Sequence, residues 1–471
     1  MPQTLWRHIV SFFVNIFDSV MMSNTTVIIL AAGKGSRMKS QLPKVMHQLA
    51  GRPLLHHVLA LAEDLDTNRK IVVISPKMEK VANAAKNLWS SMEFAIQPEP
   101  RGTGHALQVA NNFIGDFNGE VLILYGDVPL LRSQTILELQ ALKKKENAAF
   151  AILSFTPLDP SGYGRIITDS HGFVSKVVED IEANSKEKNI AICNSGIIVA
   201  DGQVMQCLLK MLNTKNSKNE YFVTDVISLA NDRGFKCVHL EVEDGSEVMG
   251  INDKGQLALA EDEMQTRLRA KALASGVSMI DPSTVWLSWD THFGNDVEIE
   301  PNVFFGPNVI IGNGTKVRAF CHLEGVEIGD NATIGPFARL RPGTNISNNV
   351  RVGNFVETKN ANIGNSVKIN HLSYIGDTVI GEESNIGAGT ITCNYDGYRK
   401  SQTTIESNVF IGSNSSLVAP VKIGQGSVIG AGSVITKDVE ADSIAVARSK
   451  QQEQIGAAAR RKKKLKGRVN K

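Results

Sequence analysis

The sequence predicts a two-domain chain of the α/β class: a parallel sheet covered by helices, followed by a triangular β-solenoid. Three observations predict it. Apolar β-branched runs alternate with amphipathic helical stretches from Thr25 to about Asn252, an aliphatic beat of six begins after about Ser278, and a charged, proline-free run of helix formers lies between. A length of 471 residues exceeds what one core organises, and an apolar content of 42% suffices for two.

Taken in order, residues 1–22 place Ile9, Phe12, Phe13, Ile16, Phe17 and Val20 at helical spacing, with Ser11, Asn15, Asp18 and Ser19 opposite. Two readings stand side by side: an amphipathic extension helix, or a start at Met21 or Met22. Asn15 and Asp18 interrupt the apolar core that a secretory signal needs, and no long uninterrupted apolar stretch suggests a transmembrane helix. Residues 23–252 form the first domain, in which VIIL, KIVVIS and EVLILYGD read as strands and PLLHHVLALAEDL and KVANAAKNLW as helices. Residues 253–277 read as a linking helix and 278–447 as the solenoid. The beat runs through Val297, Val303 and Val309, then Ile328, Ile334, Leu340, Ile346 and Val352, then Ile363, Ile369 and Ile375, and closes at Ile405, Ile411, Leu417, Ile423, Ile429 and Ile435. Six residues suit one short strand plus a turn, three of which make a coil. Residues 392–404 break the beat with a polar loop. Residues 448–471, basic from Arg460 onward, read as a disordered, solvated tail.

Lysine plus arginine (50) nearly balances aspartate plus glutamate (48), so no global field calls for nucleic acid. Five scattered cysteines without CxxC or Cys/His pairing suggest neither a disulfide framework nor zinc, and fit a reducing cytoplasm.

The strand VIIL runs into the glycine-bearing turn Ala31–Met38, whose backbone N–H groups suit phosphate and whose Arg37 adds a donor fork. It is neither GxGxxG nor a Walker sequence. Pro43-Lys44 adds a cation, Gly102-Thr103-Gly104 a second close backbone approach, and Tyr125-Gly126-Asp127 a carboxylate at the carboxyl end of a buried strand, where magnesium can be held. With SGYGRI, VVED, CNSGI and YFVTDVI following in order, the first domain resembles the sugar-phosphate nucleotidyltransferases and is expected to be Rossmann-like. The resemblance implies that Leu30, Ala31, Ala32, Gly33 and Gln97 contact the nucleotide, with Gly102 and Thr103 at the uracil. It also implies contacts from Tyr125 and Gly126, and sugar contacts from Gly164, Glu179 and Asn194. Asp127 and Asn252 would ligate Mg²⁺, and Arg37 and Lys44 would neutralise the triphosphate.

In the solenoid, RLRPG, NFVETKN and NHLSYIGD put charged and aromatic groups on a scaffold of small and aliphatic residues. Arg341, Lys359 and Tyr374 recur near multiples of an eighteen-residue coil and so can share a face beside His371, a cationic pocket next to a titratable base. This half resembles the hexapeptide-repeat acyltransferases. Together the two halves resemble the bifunctional N-acetylglucosamine-1-phosphate uridyltransferase/glucosamine-1-phosphate acetyltransferase family. That resemblance implies a left-handed parallel β-helix of hexapeptide repeats and a homotrimer with sites between subunits. The implied substrates are glucosamine 1-phosphate, acetyl-CoA and UTP. It makes His371 the base, gives the sugar phosphate to Arg341, Lys359, Tyr374 and Asn385, and gives acetyl-CoA to Ala388, Asn394, Tyr395, Ser413, Ala431 and Arg448. The alternative is a single-function nucleotidyltransferase whose solenoid only assembles or regulates it.

Overall fold

Thr25–Leu30 (β1) is an uncharged run of six residues, buried along its whole length, as a strand covered on both faces must be. It is the first described element of the computed structural model, which describes residues 24–469 apart from 34, 66, 79, 80, 83, 84, 87, 88, 90 and 91. Both readings of residues 1–22 fall outside the described residues, as does much of the helix expected at KVANAAKNLW. The chain divides into two compact units, Met1–Thr266 and Arg267–Lys471.

In the first unit β1 pairs in parallel with Arg69–Ile74 (β2) and with Glu120–Tyr125 (β4), and β2 with Met92–Ile96 (β3). The connection from β1 leaves to one side and β4 arrives on the other, so their carboxyl ends open a crevice at Leu30 and Tyr125. Phe150–Phe155 (β5), Arg165–Thr168 (β6), Val174–Val178 (β7), Cys193–Asp201 (β8) and Cys237–Glu241 (β9) complete the sheet, in the order β9-β5-β8-β4-β1-β2-β3 with β6 and β7 beside β8. The expected parallel sheet needs correction at two places: β8 runs antiparallel to both β4 and β5, and β6 and β7 form an antiparallel pair beside it. An apolar strand covered on both faces has the same residue pattern in either direction, so its polarity is not written in its composition.

The helix Leu54–Asp64 carries two histidines in its first turn. His56 is buried, with no partner for Nε2, and is held down to about 4 by burial and then by Arg52. Burial also holds His57 at about 4, although one ring nitrogen meets the Leu49 carbonyl at 2.9 Å; Arg52 and His56 add to the depression. Both are neutral in the folded chain while their unfolded forms take protons near pH 6.5, so stability is full above that pH and falls as pH drops toward 4, by up to about 3 kcal/mol per histidine. The melting temperature of the N-terminal domain should therefore fall between pH 7 and pH 5, and His56→Leu should flatten that dependence.

A single helix, Lys254–Ala274, leads out of this unit and carries the division at Thr266 and Arg267 within it. Beyond it the six-residue beat sets every aliphatic position of the sequence pattern into one buried core, from Val297 to Ile435. Strands stack in parallel, Glu298 on Lys316, Lys316 on Thr333, Thr333 on Arg351 and Arg351 on Lys368, with two further stacks making the other faces. At one corner Phe320, Phe337 and Phe355 take left-handed backbone conformations (φ 61°, 57° and 56°) that bulky residues avoid, and Leu372 continues the row at φ 51°. The three rings stack at 4.9 and 5.2 Å and stay about half exposed. The tail also departs from expectation: Ala457–Val469 is helical, as its alanines, lysines, arginines and leucine favour, and its described cations are exposed.

Candidate active sites

At the carboxyl ends of β1 and β4 lies a cavity of about 450 Å³. Its walls include Leu30, Ala31, Ala32 and Gly33 from the turn after β1, Gln97 after β3, Gly102 and Thr103 at the start of a helix, and Tyr125 and Asp127 after β4. Lys44, Glu179 and Asn252 complete the sequence-identified part of the lining. Gly126, Gly164 and Asn194 are not lining residues: the Gly126 N–H donates to the Leu30 carbonyl at 3.0 Å, tying the two strand ends, and the Asn194 N–H donates to the Gly164 carbonyl at 2.8 Å. Val45, Pro100, Ala106, Lys218, Glu220 and Phe222 line the cavity without having been given a role from the sequence, although Phe222 lies within the YFVTDVI motif. Lys218 and Glu220 belong to a polar turn just before the YFVTDVI motif, and only that adjacency pointed to them.

Gly102 is held at φ 99°, and a Cβ there would lie 2.5 Å from the Tyr221 carbonyl, so backbone approaches backbone at this wall. The Gln97 amide Nε2 donates to the Gly102 carbonyl at 3.1 Å and fixes that approach from inside. The Tyr125 ring lies on Gly196, where a Cβ would meet it at 2.6 Å. Burial, reinforced by Glu179 and Asp127, pushes the Tyr125 phenol well up, so it stays protonated.

The charged groups converge on one point. The Lys44 ammonium pairs with the Asp127 carboxylate and donates to Asn252 Oδ1 at 3.1 Å, while an Arg37 guanidinium nitrogen donates to the same Asn252 oxygen at 3.0 Å. Lys44 and Asp127 are largely buried, so their attraction is little screened. A carboxylate and an amide oxygen aimed at one cation are the donors a hard divalent ion takes when substrate phosphates supply the rest.

In the second unit, Arg341, Lys359 and Tyr374 occupy one face, in the strands Arg339–Leu340 and its extension, Glu357–Ile363 and Tyr374–Ile380. His371 ends Lys368–His371 on the adjoining face, and the corner Leu372–Ser373 separates it from Tyr374. Asn354, one coil earlier, is its ladder partner, and the Asn354 Oδ1 lies 2.6 Å from His371 Nδ1. An amide oxygen only accepts, so Nδ1 carries a proton, and in the neutral ring the lone pair is left on Nε2. The sequence marks Asn354 only as the first residue of NFVETKN, without a role, although it lies a coil length before the histidine.

Arg341 donates to Glu357 Oε1 at 2.7 Å. Lys359 instead meets Lys400, brought back by the loop through the Tyr395–Lys400 bridge, and Lys400 with Arg341 holds the Lys359 ammonium below the usual lysine range. Burial raises the neighbouring Asp377 carboxyl, but hydrogen bonds from Asn360 and Asn394, with Lys400 and Lys359 near, outweigh it and keep it ionised. Two crowded ammonium groups are an arrangement that a phosphate dianion relieves. Sequence reasoning missed Lys400, because a non-periodic loop gives no register.

Of the residues marked for acetyl-CoA, Ala388, Ser413 and Ala431 continue the His371 edge from coil to coil. The Gly389 N–H donates to the His371 carbonyl at 3.3 Å, the Asn414 N–H to Ala388 at 2.8 Å and the Gly432 N–H to Ser413 at 2.8 Å. Arg448 closes the row by donating to the Ala431 carbonyl at 2.6 Å. Tyr395 is exposed on the loop, its hydroxyl on the Gly397 carbonyl at 2.5 Å. Asn394 is buried with its amide on Asp377, and Asn385 stands on the His371 face, in register with Lys368 and Phe410.

Known proteins repeat this division. Residues 27–184 match the MobA-like NTP transferase domain, and residues 290–325 and 402–437 match the bacterial transferase hexapeptide family of six repeats. The chain is 46% identical to the bifunctional protein GlmU of Paramagnetospirillum magneticum, over 93% of this chain and 96% of that one. It is 45% identical to the Zymomonas mobilis GlmU, over 91% and 95% of the two chains, and 44% identical to that of Burkholderia vietnamiensis, over 89% and 95%.

Proposed function

We propose an assignment of residues to two reactions from the premise that this chain belongs to the family of bifunctional GlmU proteins. The chain is a bifunctional transferase that acetylates glucosamine 1-phosphate and then transfers UMP from UTP to N-acetylglucosamine 1-phosphate, giving UDP-N-acetylglucosamine and pyrophosphate. The observation that carries the uridylyl half is the single point at which Lys44, Arg37, Asp127 and Asn252 meet at the cavity.

There, Gly102 and Thr103 receive the uracil, and the N–H groups after β1 approach the phosphates. Glu179, fixed by the Thr224 hydroxyl at 2.8 Å, accepts from the sugar hydroxyls. A magnesium ion held by Asp127 and Asn252 would neutralise phosphate oxygens. The Lys44 ammonium and the Arg37 guanidinium, both at Asn252, add positive charge for the triphosphate. The sugar phosphate oxygen attacks the α-phosphorus in line as the bond to pyrophosphate breaks, so positioning and charge neutralisation supply the catalysis.

At the other site, Lys359, Lys400 and Arg341 hold the sugar phosphate. His371 Nε2 takes the proton from the 2-amino group as that nitrogen forms its bond to the thioester carbonyl of acetyl-CoA, the C–S bond breaks, and the proton passes on to the leaving thiolate. Ala388, Ser413 and Ala431 offer a small-residue edge along which the pantetheine arm can lie. The His371–Asn354 bond argues against a solenoid that only assembles the enzyme. The exposed Phe320, Phe337, Phe355 and Leu372 row beside His371 supports a homotrimer, in which a second copy covers it and completes the acetyl site. Five free cysteines support a cytoplasmic setting, and among the described residues no helix is long and apolar enough to cross a membrane.

Purified protein given glucosamine 1-phosphate, acetyl-CoA and UTP with magnesium should release free thiol and then pyrophosphate, and should sediment as a trimer. Pyrophosphate release from supplied N-acetylglucosamine 1-phosphate without any thiol release would reduce the chain to a nucleotidyltransferase.

A further inference from the structure

Gly164, Glu179 and Asn194, the proposed acceptor-sugar contacts, come from three separate segments. Each is the chain neighbour of a residue in one knot of side chains: Arg165 and Cys193, both buried, and Asp180, half-buried. Arg165 opens β6 and is 2% exposed. One terminal guanidinium nitrogen donates to the Tyr163 carbonyl and the other to Asp180 Oδ1 at 3.2 Å, while Cys193, fully buried, opposes it across the β6–β8 ladder. The Arg165 Nε–H has no hydrogen-bond partner among the described residues.

The backbone already fixes two of the three segments, since the Asn194 N–H donates to Gly164 and the Ile166 N–H to Ile192 at 3.0 Å. The third leaves the sheet. The ladder between β6 and β7 reaches Arg165 with Val178, and the chain then turns outward through Glu179 and Asp180. The Arg165–Asp180 pair is the side-chain tie that brings this turn back toward the strand that begins next to Gly164. Nothing about stability requires a guanidinium there, because a buried ion pair is commonly no better than apolar side chains of the same volume, and this one leaves a donor unpaired. What a planar fork supplies is a fixed geometry between two acceptors on different segments.

We propose that Arg165 is a positioning residue for the acceptor substrate. Acting through Asp180 and the Tyr163 carbonyl, it sets where Glu179 stands relative to Gly164 and Asn194, and so governs binding of the sugar phosphate rather than of UTP. The nucleotide wall is independent of it, being held by the Gln97–Gly102 bond and the ends of β1 and β4. This proposal rests on the reading of Gly164, Glu179 and Asn194 as sugar contacts.

The test is steady-state uridylyl transfer by the full chain, with N-acetylglucosamine 1-phosphate and UTP varied separately. Arg165→Met should raise KM for the sugar phosphate ~10-fold while KM for UTP and the acetyl-transfer rate stay within about twofold, the signature of one misplaced substrate contact. Arg165→Lys should not rescue it, since one ammonium cannot serve both acceptors in a plane. Asp180→Asn should shift the same constant in the same direction, and the double variant Arg165→Met/Asp180→Asn should be no worse than Arg165→Met alone. Equal rises in both KM values, a loss confined to kcat, or additive effects in the double variant would overturn the proposal. Should Arg165→Met fail to fold, Arg165→Lys and Asp180→Asn carry the same test. Glu179→Gln separates the two levels. If it raises the sugar KM and the Arg165 and Asp180 variants do not, the positioning role alone falls; if it leaves the sugar KM unchanged, the site reading falls and the proposal with it.

Discussion

His371→Ala lowers acetyl transfer by about 10²- to 10⁴-fold, the range for loss of a positioned general base, and leaves uridylyl transfer from supplied N-acetylglucosamine 1-phosphate near normal. The ring is exposed and outside the aliphatic core, so its removal opens no cavity there and the solenoid should keep its fold and assembly. Asn354→Ala should change the rate in the same direction with a smaller loss, because the ring then loses the acceptor that fixes its tautomer. Both half-reactions and the sedimentation of each variant decide the matter together. Acetyl transfer within a few-fold of the parent would make His371 a structural residue of its corner.

Asp127→Ala has the complementary effect. It removes the carboxylate that faces Lys44 and leaves Asn252 as the only side-chain oxygen of the pair, so pyrophosphate release should fall at least about 100-fold, the scale of losing a phosphate-neutralising ion from a transfer step. Thiol release from acetyl-CoA should continue at the parental rate. Because the substitution frees a cation as well as an oxygen, Asp127→Asn is the sharper companion: it keeps an oxygen at the position without its charge, and should demand more magnesium for half-maximal rate. A folded protein that has lost both activities would break the assignment of one reaction to each unit.

The fold was legible where local chemistry repeats. Val297 to Ile435 announces the solenoid because each inward position must be aliphatic whatever the rest of the coil does, and strand-helix alternation announces the first sheet for the same reason. The direction of Cys193–Asp201 was not legible, since polarity is set by its partners. In the sites, residue types could be picked out in chain order, but their engagements could not. Lys44 and Asp127 are 83 positions apart, and only the β1–β4 crevice makes them partners. Asn354 could have been found by counting back one coil from His371, whereas Lys400 arrives on a loop whose reach no period encodes.

The stacking of strand on strand also governs how this half of the protein can change in length. Each coil rests on the one before it, Thr333 on Lys316 and Arg351 on Thr333, and in these strands the inward aliphatic follows an outward residue. Losing one residue within a strand would turn a core aliphatic outward and misplace the rest of its coil, whereas losing a whole coil would let its neighbours meet in register. The step from Asn385 to Phe410 has room for an added loop because the extra residues leave at a corner, outside the ladder. Heritable length variation in the solenoid is therefore quantised, in whole coils or in corner loops, and its functional novelty should concentrate at the corners.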